Sequence, residues 1–293
     1  MIPAFVSSEA KRADEAIDVL ATDGGFAVER VPPPELADRV RHAIQSGARR
    51  VLIAGGDGSI GTAASALCGT DCELAILPAG TLNHFAQHLG LPLDLKEAVR
   101  TALGSTTMAI DVGRVNGHVF LNTSSVGAYV SFVRTRDRLE RRLGYRLASV
   151  LAAARILFRL RSVRVTVEVE GRPREYDTPL VFIGVGEREL KAPALGARVP
   201  DGRGGLHVMV VRTRGGARML ALALSAAARG LRAIARTPAM DSFLVESLSI
   251  ATRWRVATTR IAVDGEPISV ALPLEYRLER ATLRVVAGDS AAD

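Results

Sequence analysis

A glycine-rich run around one aspartate is the first feature of this 293-residue chain whose residue types could do chemistry. Residues 51–64 read VLIAGGDGSIGTAA, an apolar run that leads into Gly55, Gly56, Asp57, Gly58 and Ser59. Because glycine has no Cβ, a polyanion can approach backbone N–H groups closely at such a loop. A helix starting near Ser59 would point its N-terminus at the same anion. The alternative is a strand-to-helix turn in which Asp57 is only the N-cap.

A second loop repeats this arrangement further along the chain. Residues 77–86 read LPAGTLNHFA, so Gly80 and Thr81 directly follow an apolar strand and Asn83 begins a predicted helix. A hydroxyl and an amide in this place could bind phosphate oxygens or a ribose. The alternative is a capped helix start with Thr81 or Asn83 as the N-cap.

A third motif lies near the end of the chain, where Asp264 and Glu266 flank Gly265 after the apolar run Ile261–Val263. Asp-Gly is a common hairpin turn, which is the simpler interpretation. In the functional interpretation the turn positions a carboxylate base. Phosphoryl transfer needs the phosphates held, a Mg²⁺ ion, and a carboxylate that orients the attacking hydroxyl and takes its proton.

The first half of the chain alternates predicted strands with predicted helices. The strands are 2–6, 26–31, 51–54 and 73–77, and the helices are 9–20 and 35–45. This alternation predicts a parallel, doubly wound sheet. Ligands of such sheets bind at the carboxyl ends of the strands. Both glycine loops leave strands at that edge, so we expect them to lie side by side.

The pattern changes after about residue 115. Residues 163–170 alternate strictly between valine and polar residues, and further predicted strands are 180–185, 206–212, 244–250, 253–263 and 282–286. Sequential strands without helices between them predict an antiparallel sandwich. Two segments, 145–160 and 217–235, have a helical pattern instead.

Bulk composition limits the class of protein. A length of 293 residues with 48% hydrophobic residues suits a globular protein of two domains. The formal charge of +7 suggests a polyanionic partner. The two cysteines, Cys68 and Cys72, form neither a disulfide framework nor a zinc motif, which favours the cytoplasm. We expect neither a secretory signal nor a membrane-spanning helix.

The three motifs, 54–59, 78–83 and 263–266, resemble in their order and spacing those of the diacylglycerol kinase catalytic-domain family. That family includes bacterial soluble lipid kinases, sphingosine kinases and ceramide kinases, and is distantly similar to NAD kinases. The run 111–115 followed by 120–122 is also similar to bacterial lipid kinases.

The resemblance implies an architecture and an activity. An N-terminal α/β nucleotide-binding domain with a parallel, NAD kinase-like sheet would cover 1–115. A C-terminal antiparallel β-sandwich for the lipid substrate would cover 116–293, its last segment with the option of packing back on the first domain. The active site would lie in the interdomain cleft. The activity would be ATP-dependent phosphorylation of a lipid hydroxyl, with ATP and Mg²⁺ as cofactors, in phospholipid biosynthesis or related lipid metabolism.

The resemblance also assigns roles to residues. Nucleotide phosphates would be cradled by Gly55, Gly56, Asp57, Gly58 and Ser59. The rest of the nucleotide site would come from Gly80, Thr81 and Asn83. Asp264 or Glu266 would be the general base, with the other as its partner or as a magnesium contact, and Asp57 would join them as a catalytic residue. The metal ligands stay unassigned.

Three stretches depart from the family pattern. The first strand of the family ends in an Asn-Pro-x-Ser-Gly loop that helps to bind nucleotide, where this chain reads PAFVSS at 3–8. His84 stands where the family usually has an aspartate, and sphingosine kinases also lack that aspartate. A Leu-Asp-Asp-Gly magnesium motif corresponds here to 203–206, with only Asp201 nearby. We therefore expect the magnesium of the second domain to be absent or weakly bound.

Arginines crowd the segments 134–164 and 212–236, and they predict how a lipid could be reached. Each arginine near an anionic bilayer adds roughly 1 kcal/mol, which predicts a cytoplasmic protein bound peripherally to a membrane surface. The alternative is a solvated helix face. Few aromatic residues accompany these arginines, so we expect no nucleic-acid partner. The oligomeric state stays open, with a homodimer as one option.

Two other functions remain open from the sequence. One is a kinase of the same superfamily that acts on a sphingoid base or on NAD. The other belongs to a different class, a catalytically inactive sensor that binds nucleotide or lipid, and the departure at residues 3–8 motivates it.

Overall fold

The computed structural model describes residues 1–127, 162–190, 195–199, 202–212, 240–252 and 257–288. The chain forms two compact units, Met1–Val112 with Glu279–Asp293, and Gly113–Leu278. The predicted helices 145–160 and 217–235 lie outside the described residues, as does most of both arginine-rich segments. As functional domains, the divisions 1–115 and 116–293 stay a prediction.

Five helices and eighteen strands are defined within the described residues. The helices are α1 (Ala13–Asp23), α2 (Pro33–Gln45), α3 (Asp57–Leu67), α4 (His84–His88) and α5 (Leu95–Leu103). The strands up to residue 127 are β1 (Ile2–Ser7), β2 (Phe26–Val31), β3 (Arg50–Gly55), β4 (Glu73–Pro78), β5 (Thr107–Val115), β6 (His118–Phe120) and β7 (Thr123–Gly127). The later strands are β8 (Val163–Val169), β9 (Arg172–Thr178), β10 (Leu180–Val185), β11 (Arg188–Leu190), β12 (Leu195–Arg198), β13 (Leu206–Val211), β14 (Met240–Val245), β15 (Ser247–Thr252), β16 (Thr258–Val263), β17 (Glu266–Ala271) and β18 (Leu274–Val286).

The first unit contains the predicted parallel sheet, in the order β2-β1-β3-β4. The end of β18 continues it, because Val285 pairs in parallel with Leu74 of β4. Val6 lies opposite Ala54, and Gly55 lies opposite Pro78. The carboxyl ends of β1, β3 and β4 are therefore level with one another, and the loops that follow them leave from one edge.

Buried apolar runs explain why these strands lie in the middle of a layered unit. Residues 51–55 of β3 and 74–78 of β4 are all buried, as both faces of a parallel sheet require. Helix α3 buries small residues, Ala63 and Ala64, beside Ile60 and Leu67. Helix α5 begins where the carboxylate of Asp94 accepts the N–H groups of two residues in its first turn.

The second unit is built from two antiparallel sheets. One has the order β14-β13-β10-β7-β16-β17. In the other, β15 pairs with β8 and with residues 274–277 of β18, and β8 pairs with β9. Their inner faces share one core, which includes Val165, Ile183, Val208, Ile250, Ile261 and Tyr276. The predicted antiparallel sandwich is confirmed.

Several predicted element bounds were wrong. The predicted strand 244–250 is two strands, because β14 pairs with β13 in one sheet whereas β15 pairs with β18 and β8 in the other. The chain crosses between layers at Glu246, without the glycine or proline that would have marked a turn. The strand predicted at 282–286 is the end of the much longer β18. None of the helices in the described part of the chain has the length and hydropathy that a membrane span requires.

Candidate functional site

The first glycine loop ends β3 and starts α3. Gly56 is the N-cap and Asp57 is the first helical residue, so the helix begins two residues before the predicted start at Ser59. The N–H of Ile60 makes an early helical bond to the Gly56 carbonyl, at 3.1 Å. The N–H groups of residues 57–59 precede that bond, and they lie at the positive end of an eleven-residue helix. Such an end is suited to bind phosphate.

Asp57 joins the two glycine loops. Its carboxylate accepts the N–H of His84 at 3.0 Å and the N–H of Phe85 at 2.8 Å. The simple interpretation of Asp57 as the cap of its own helix is therefore wrong, since Gly56 holds that position and the carboxylate caps α4 instead. In this structure the Asp57 side chain positions the second loop relative to the first.

Gly56 and Gly80 are in backbone contact. A Cβ added at Gly80 would lie 2.3 Å from the Cα of Gly56, and 2.9 Å from Oδ1 of Asn83. Any side chain at residue 80 would therefore push the two loops apart. Likewise, a Cβ at Gly55 would lie 2.6 Å from the Cβ of Ser59, so Ser59 rests directly on that glycine.

Asn83 holds the second loop closed. Its side-chain oxygen accepts the N–H of Gly80 at 3.0 Å, and its Nδ2 donates to the carbonyls of Gly80 and Pro78 at 3.1 and 3.3 Å. The residue is 8% exposed and adopts a positive φ of 51°, which asparagine tolerates well. The neighbouring Thr81 is exposed. Of these two predicted nucleotide ligands, only Thr81 has an exposed side chain. The side chain of Asn83 is used in hydrogen bonds within the loop.

The loop after β1 differs from its two neighbours. The N–H of Ser8 bonds to Val31 O, the N–H of Ala10 to Ser7 O, and the N–H of Arg12 to Ala79 O, all at 2.9–3.1 Å. Ser7 itself is 3% exposed. These backbone donors are used inside the fold, at the place where the family's Asn-Pro-x-Ser-Gly loop would contact nucleotide.

The third motif, in the second unit, is the turn between β16 and β17. Val263 pairs with Glu266, and Asp264 and Gly265 both have positive φ, 47° and 90°. This is the Asp-Gly hairpin of the simpler interpretation. The same turn places two carboxylates, so the two interpretations are compatible.

The carboxylate of Asp264 is hydrogen-bonded to backbone groups of the second unit. Its carboxylate accepts the N–H groups of Leu121, Asn122 and Thr123 at 2.7–2.8 Å. Its N–H donates to the Thr123 carbonyl at 2.8 Å. Burial raises the pKa of the Asp264 carboxyl, and the three N–H donors together with the charge of Arg188 oppose that rise. Asp264 therefore orders the 121–123 strand start through its two oxygens.

Glu266 contrasts with Asp264 although it lies two residues away. It is the first residue of β17 and is exposed. Within the described residues its carboxylate has no hydrogen-bond or ion-pair partner. Of the two predicted bases, Glu266 is the one whose oxygens remain available.

Arg188 and His207 were missed by the sequence reasoning. Arg188 is 4% exposed, and its guanidinium donates to the carbonyls of Val185 and Asn122 at 2.7–3.0 Å. His207 accepts the N–H of Arg188 through Nδ1 at 2.8 Å. The one signal in the sequence was the glycine alternation at 184 and 186 before this arginine, which leaves room for a large side chain.

The predicted residues are thus grouped in two places. The first unit brings together the loops 55–59 and 80–83, and the second unit contains Asp264 and Glu266. The predicted cleft between domains stays a prediction. In the described parts of the chain no group of three or more His, Cys, Asp or Glu side chains could hold a metal ion, and Asp201 lies outside them.

Sequence comparisons identify the proteins that this chain resembles. Residues 7–115 match the model of the diacylglycerol kinase catalytic domain. A Bacillus subtilis protein named "Diacylglycerol kinase" is 33% identical over 164 residues, which are 52% of this chain and 54% of that protein. A Klebsiella pneumoniae protein named "Probable lipid kinase YegS-like" is 36% identical over 138 residues, 44% of this chain and 46% of that protein. The chain thus matches about half the length of these relatives.

The fold is shared more widely than the sequence. A crystal structure of a diacylglycerol kinase from Bacillus anthracis superposes with a TM-score of 0.69 at 17% identity, and covers 99% of this chain and 98% of that one. This likeness concerns the fold. The resemblance to the diacylglycerol kinase catalytic-domain family is confirmed over residues 7–115, which contain the first two of the three motifs.

Proposed function

We propose that this protein is an ATP-dependent lipid kinase that phosphorylates the hydroxyl of diacylglycerol or of a related lipid alcohol. The observation that carries the proposal is the level edge of the parallel sheet, where the glycine loop, the N-terminus of α3 and the second loop lie together. The kinase-domain match at 7–115 and the relatives named as lipid kinases support the enzyme class.

The first unit would bind the nucleotide as MgATP, with Mg²⁺ arriving as part of the substrate. Backbone N–H groups at residues 57–59 and the positive end of α3 would face its phosphates. Gly55, Gly56 and Gly80 allow the close approach, and Thr81 offers an exposed hydroxyl. Asp57 and Asn83 would act indirectly, by holding the two loops in place.

The second unit would supply the base. The lipid hydroxyl oxygen attacks the γ-phosphorus, the bond to the β–γ bridging oxygen breaks, and ADP leaves. The hydroxyl proton passes to a carboxylate. We assign that role to Glu266, because its carboxylate is exposed, and we assign Asp264 a positioning role, because its oxygens are bound to three backbone N–H groups.

A second candidate function is favoured by the loop after β1. Its N–H groups at residues 8, 10 and 12 are bonded within the fold, so this loop offers nucleotide fewer donors than the family pattern implies. The loop therefore favours, as the second candidate, a sensor that binds nucleotide or lipid without catalysis.

The deciding experiment incubates the purified protein with radiolabelled ATP and a total lipid extract, in parallel with sphingoid bases and with NAD. We expect label in one lipid of the diacylglycerol class. Label in a sphingoid base or in NAD would instead identify the related kinase. Nucleotide binding without any labelled product would support the sensor and contradict the proposal.

Matched variants make the assay specific. Glu266→Gln should lower the rate of labelling by roughly a hundredfold or more, whereas Glu175→Gln, which removes an exposed carboxylate from β9 of the same unit, should leave it unchanged. Equal activity in wild type and Glu266→Gln would show that another group takes the proton.

A further inference from the structure

A polar cavity lies in the first unit, at the end of β4 opposite to the second glycine loop. Its volume is about 500 Å³, within the range of cavities that hold small molecules. The segment 69–71 forms one wall and precedes β4, whereas the second glycine loop follows that strand. The six residues of β4 separate the cavity from that loop by roughly 20 Å. The cavity is therefore not part of the proposed nucleotide site.

The floor of the cavity is an open face of the sheet. It consists of alternate residues of two strands, Thr107 and Ala109 of β5 with Thr282 and Arg284 of β18. The end of β18 pairs with both β4 and β5, so it is an interior strand. Such strands are normally covered on both faces. Here Val285 is fully buried on one face and Arg284 is exposed on the other, which leaves room for a ligand.

The wall of the cavity is fixed by hydrogen bonds before any ligand binds. The N–H of Gly69 donates to the carbonyl of Thr282 at 2.8 Å, which joins the wall to the floor. The hydroxyl of Thr70 donates to the carbonyl of Leu67 at 2.8 Å and accepts the N–H of Cys72 at 3.3 Å. A preformed site loses less conformational freedom on binding than a site that must first be ordered.

One acid and one base line this cavity, Asp71 and Arg284. Both are exposed, and among the residues that the structure describes neither charged group has a hydrogen bond or an ion pair. The two thus line one cavity without pairing with each other, so a gap separates them. The other lining residues are glycine, alanine and threonine, whose short side chains leave the gap open.

We propose that this cavity binds a small zwitterion, with its anionic group on Arg284 and its ammonium group on Asp71. A guanidinium matches two oxygens of a carboxylate or a phosphate, and charge-assisted hydrogen bonds are strong. The hydroxyls of Thr107 and Thr282 can donate to the anionic group or accept from the ammonium group. The ligand carries both signs of charge, because a simple anion or cation would leave one of the two protein charges without a partner.

Two sources share this chemistry, a free amino acid and the phosphoethanolamine head group of a lipid. Both present an ammonium group a few bonds from an anionic oxygen group. The proposal rests on contacts within the first unit, so it does not depend on lipid phosphorylation by this protein.

The test measures the thermal midpoint of the full chain as the concentration of L-serine or of O-phosphoethanolamine rises, which gives each dissociation constant. Inorganic phosphate and ethanolamine, which each carry charge of one sign, are the partial ligands. The cavity variants are Arg284→Gln and Asp71→Asn. Their controls are Arg100→Gln and Asp23→Asn, which remove exposed charges from α5 and α1 of the same unit.

We expect a zwitterion to raise the midpoint of wild type and of both controls, and to bind more tightly than either partial ligand. The tighter of the two zwitterions identifies the source. Arg284→Gln and Asp71→Asn should each weaken it about tenfold. No rise with either zwitterion, or equal affinities in wild type and the cavity variants, would overturn the proposal.

Two further outcomes are decided by the partial ligands and by the second cavity variant. Inorganic phosphate that binds as tightly as the zwitterions, with a loss in Arg284→Gln and none in Asp71→Asn, would show a plain anion site and overturn the proposal. Should Arg284→Gln fail to fold, Asp71→Asn decides. A tenfold loss in that variant supports the site, and wild-type affinity overturns it.

Discussion

Asp264 and Glu266 belong to one turn and differ in every contact that matters for their roles. Asp264 binds three backbone N–H groups, and Glu266 is exposed at the start of β17. A general base must be within reach of the proton that it removes, and its oxygens must be available. We therefore propose a positioning role for Asp264 and a catalytic role for Glu266.

This separation predicts different effects for the two isosteric variants. Asp264→Asn should lower the free energy of unfolding by about 2 kcal/mol or more, because an amide cannot accept all three N–H groups. Glu266→Gln should leave stability within about 0.5 kcal/mol, and should lower kcat by roughly a hundredfold or more. Urea unfolding and steady-state kinetics check both. A stable Asp264→Asn protein with lost activity would show that Asp264 acts directly.

His207 predicts a pH dependence of stability. Its Nδ1 accepts the N–H of Arg188, so the neutral ring carries its proton on Nε2 and donates to Ser242 Oγ at 2.8 Å. Burial lowers the pKa of His207 below the ordinary value of 6.5; Glu187 raises it, and Arg188 and Arg203 lower it further. As the pH falls, the His207 ring therefore becomes protonated at a higher pH in the unfolded chain than in the folded chain.

Because the pKa of His207 is lower in the folded chain than in the unfolded chain, acidification destabilises the fold. The contribution of His207 to stability is complete above pH 6.5 and is lost as the pH falls below it, by at most about 1.4 kcal/mol per pH unit. Urea unfolding of wild type and His207→Asn at pH 7.5 and 5.5 tests this, with the other titrating groups common to both proteins. We expect the wild type to lose more stability on acidification. Identical pH dependence in the two proteins would contradict the assignment.

At the scale of elements, the register of the parallel sheet brings the carboxyl ends of β1, β3 and β4 to the same level. The Gly56–Gly80 contact then keeps the loops of β3 and β4 together, and Asp57 bonds α3 to the start of α4. The nucleotide side of the proposed site is thus a property of two strand-to-helix connections rather than of one loop.

Gly80→Ala tests this contact. A methyl group 2.3 Å from the Gly56 Cα must displace backbone, so we expect a loss of about 1–3 kcal/mol in the free energy of unfolding. ATP affinity should fall as well. Gly61→Ala is the matched control, since an added Cβ there meets nothing within 4 Å and lies inside α3.

The control should gain about 0.5–1 kcal/mol, as alanine in place of glycine does inside a helix. Thermal unfolding and calorimetry with ATP measure both quantities. Wild-type ATP affinity in Gly80→Ala would show that nucleotide binding does not depend on the close approach of these loops.

At the scale of the whole molecule, the excess of positive charge predicts where the protein meets its substrate. The formal charge is +7, and the arginine-rich segments 134–164 and 212–236 carry a positive excess larger than this total, so the rest of the chain is net negative. We propose that these segments bind the anionic surface of a membrane from the cytoplasmic side.

Vesicle sedimentation tests the membrane proposal. The protein should sediment with phosphatidylglycerol vesicles at low salt and be released as salt screens the charges, with little binding to phosphatidylcholine vesicles. Arg155→Gln with Arg159→Gln should weaken binding more than Arg172→Gln with Arg174→Gln on β9. Absence of sedimentation at low salt would exclude this surface as the partner.

The sequence by itself determined the parallel first sheet and the antiparallel sandwich, because hydrophobic periodicity is a local property of the chain. Its motifs also carried the resemblance to the diacylglycerol kinase catalytic domain, which the family model matches at residues 7–115. The sequence could not determine which of the two carboxylates, Asp264 or Glu266, accepts hydrogen bonds within the fold. The partners of Asp264 lie more than 140 residues earlier in the chain, at 121–123. For the same reason neither interpretation of Asp57 from the sequence, as a phosphate-binding residue or as the cap of its own helix, included the bonds of its carboxylate to residues 84 and 85. The pairing of Arg188 with Arg198, whose side chains lie against Gly184 and Gly186, also required tertiary structure, because cross-strand register depends on where the rest of the chain lies.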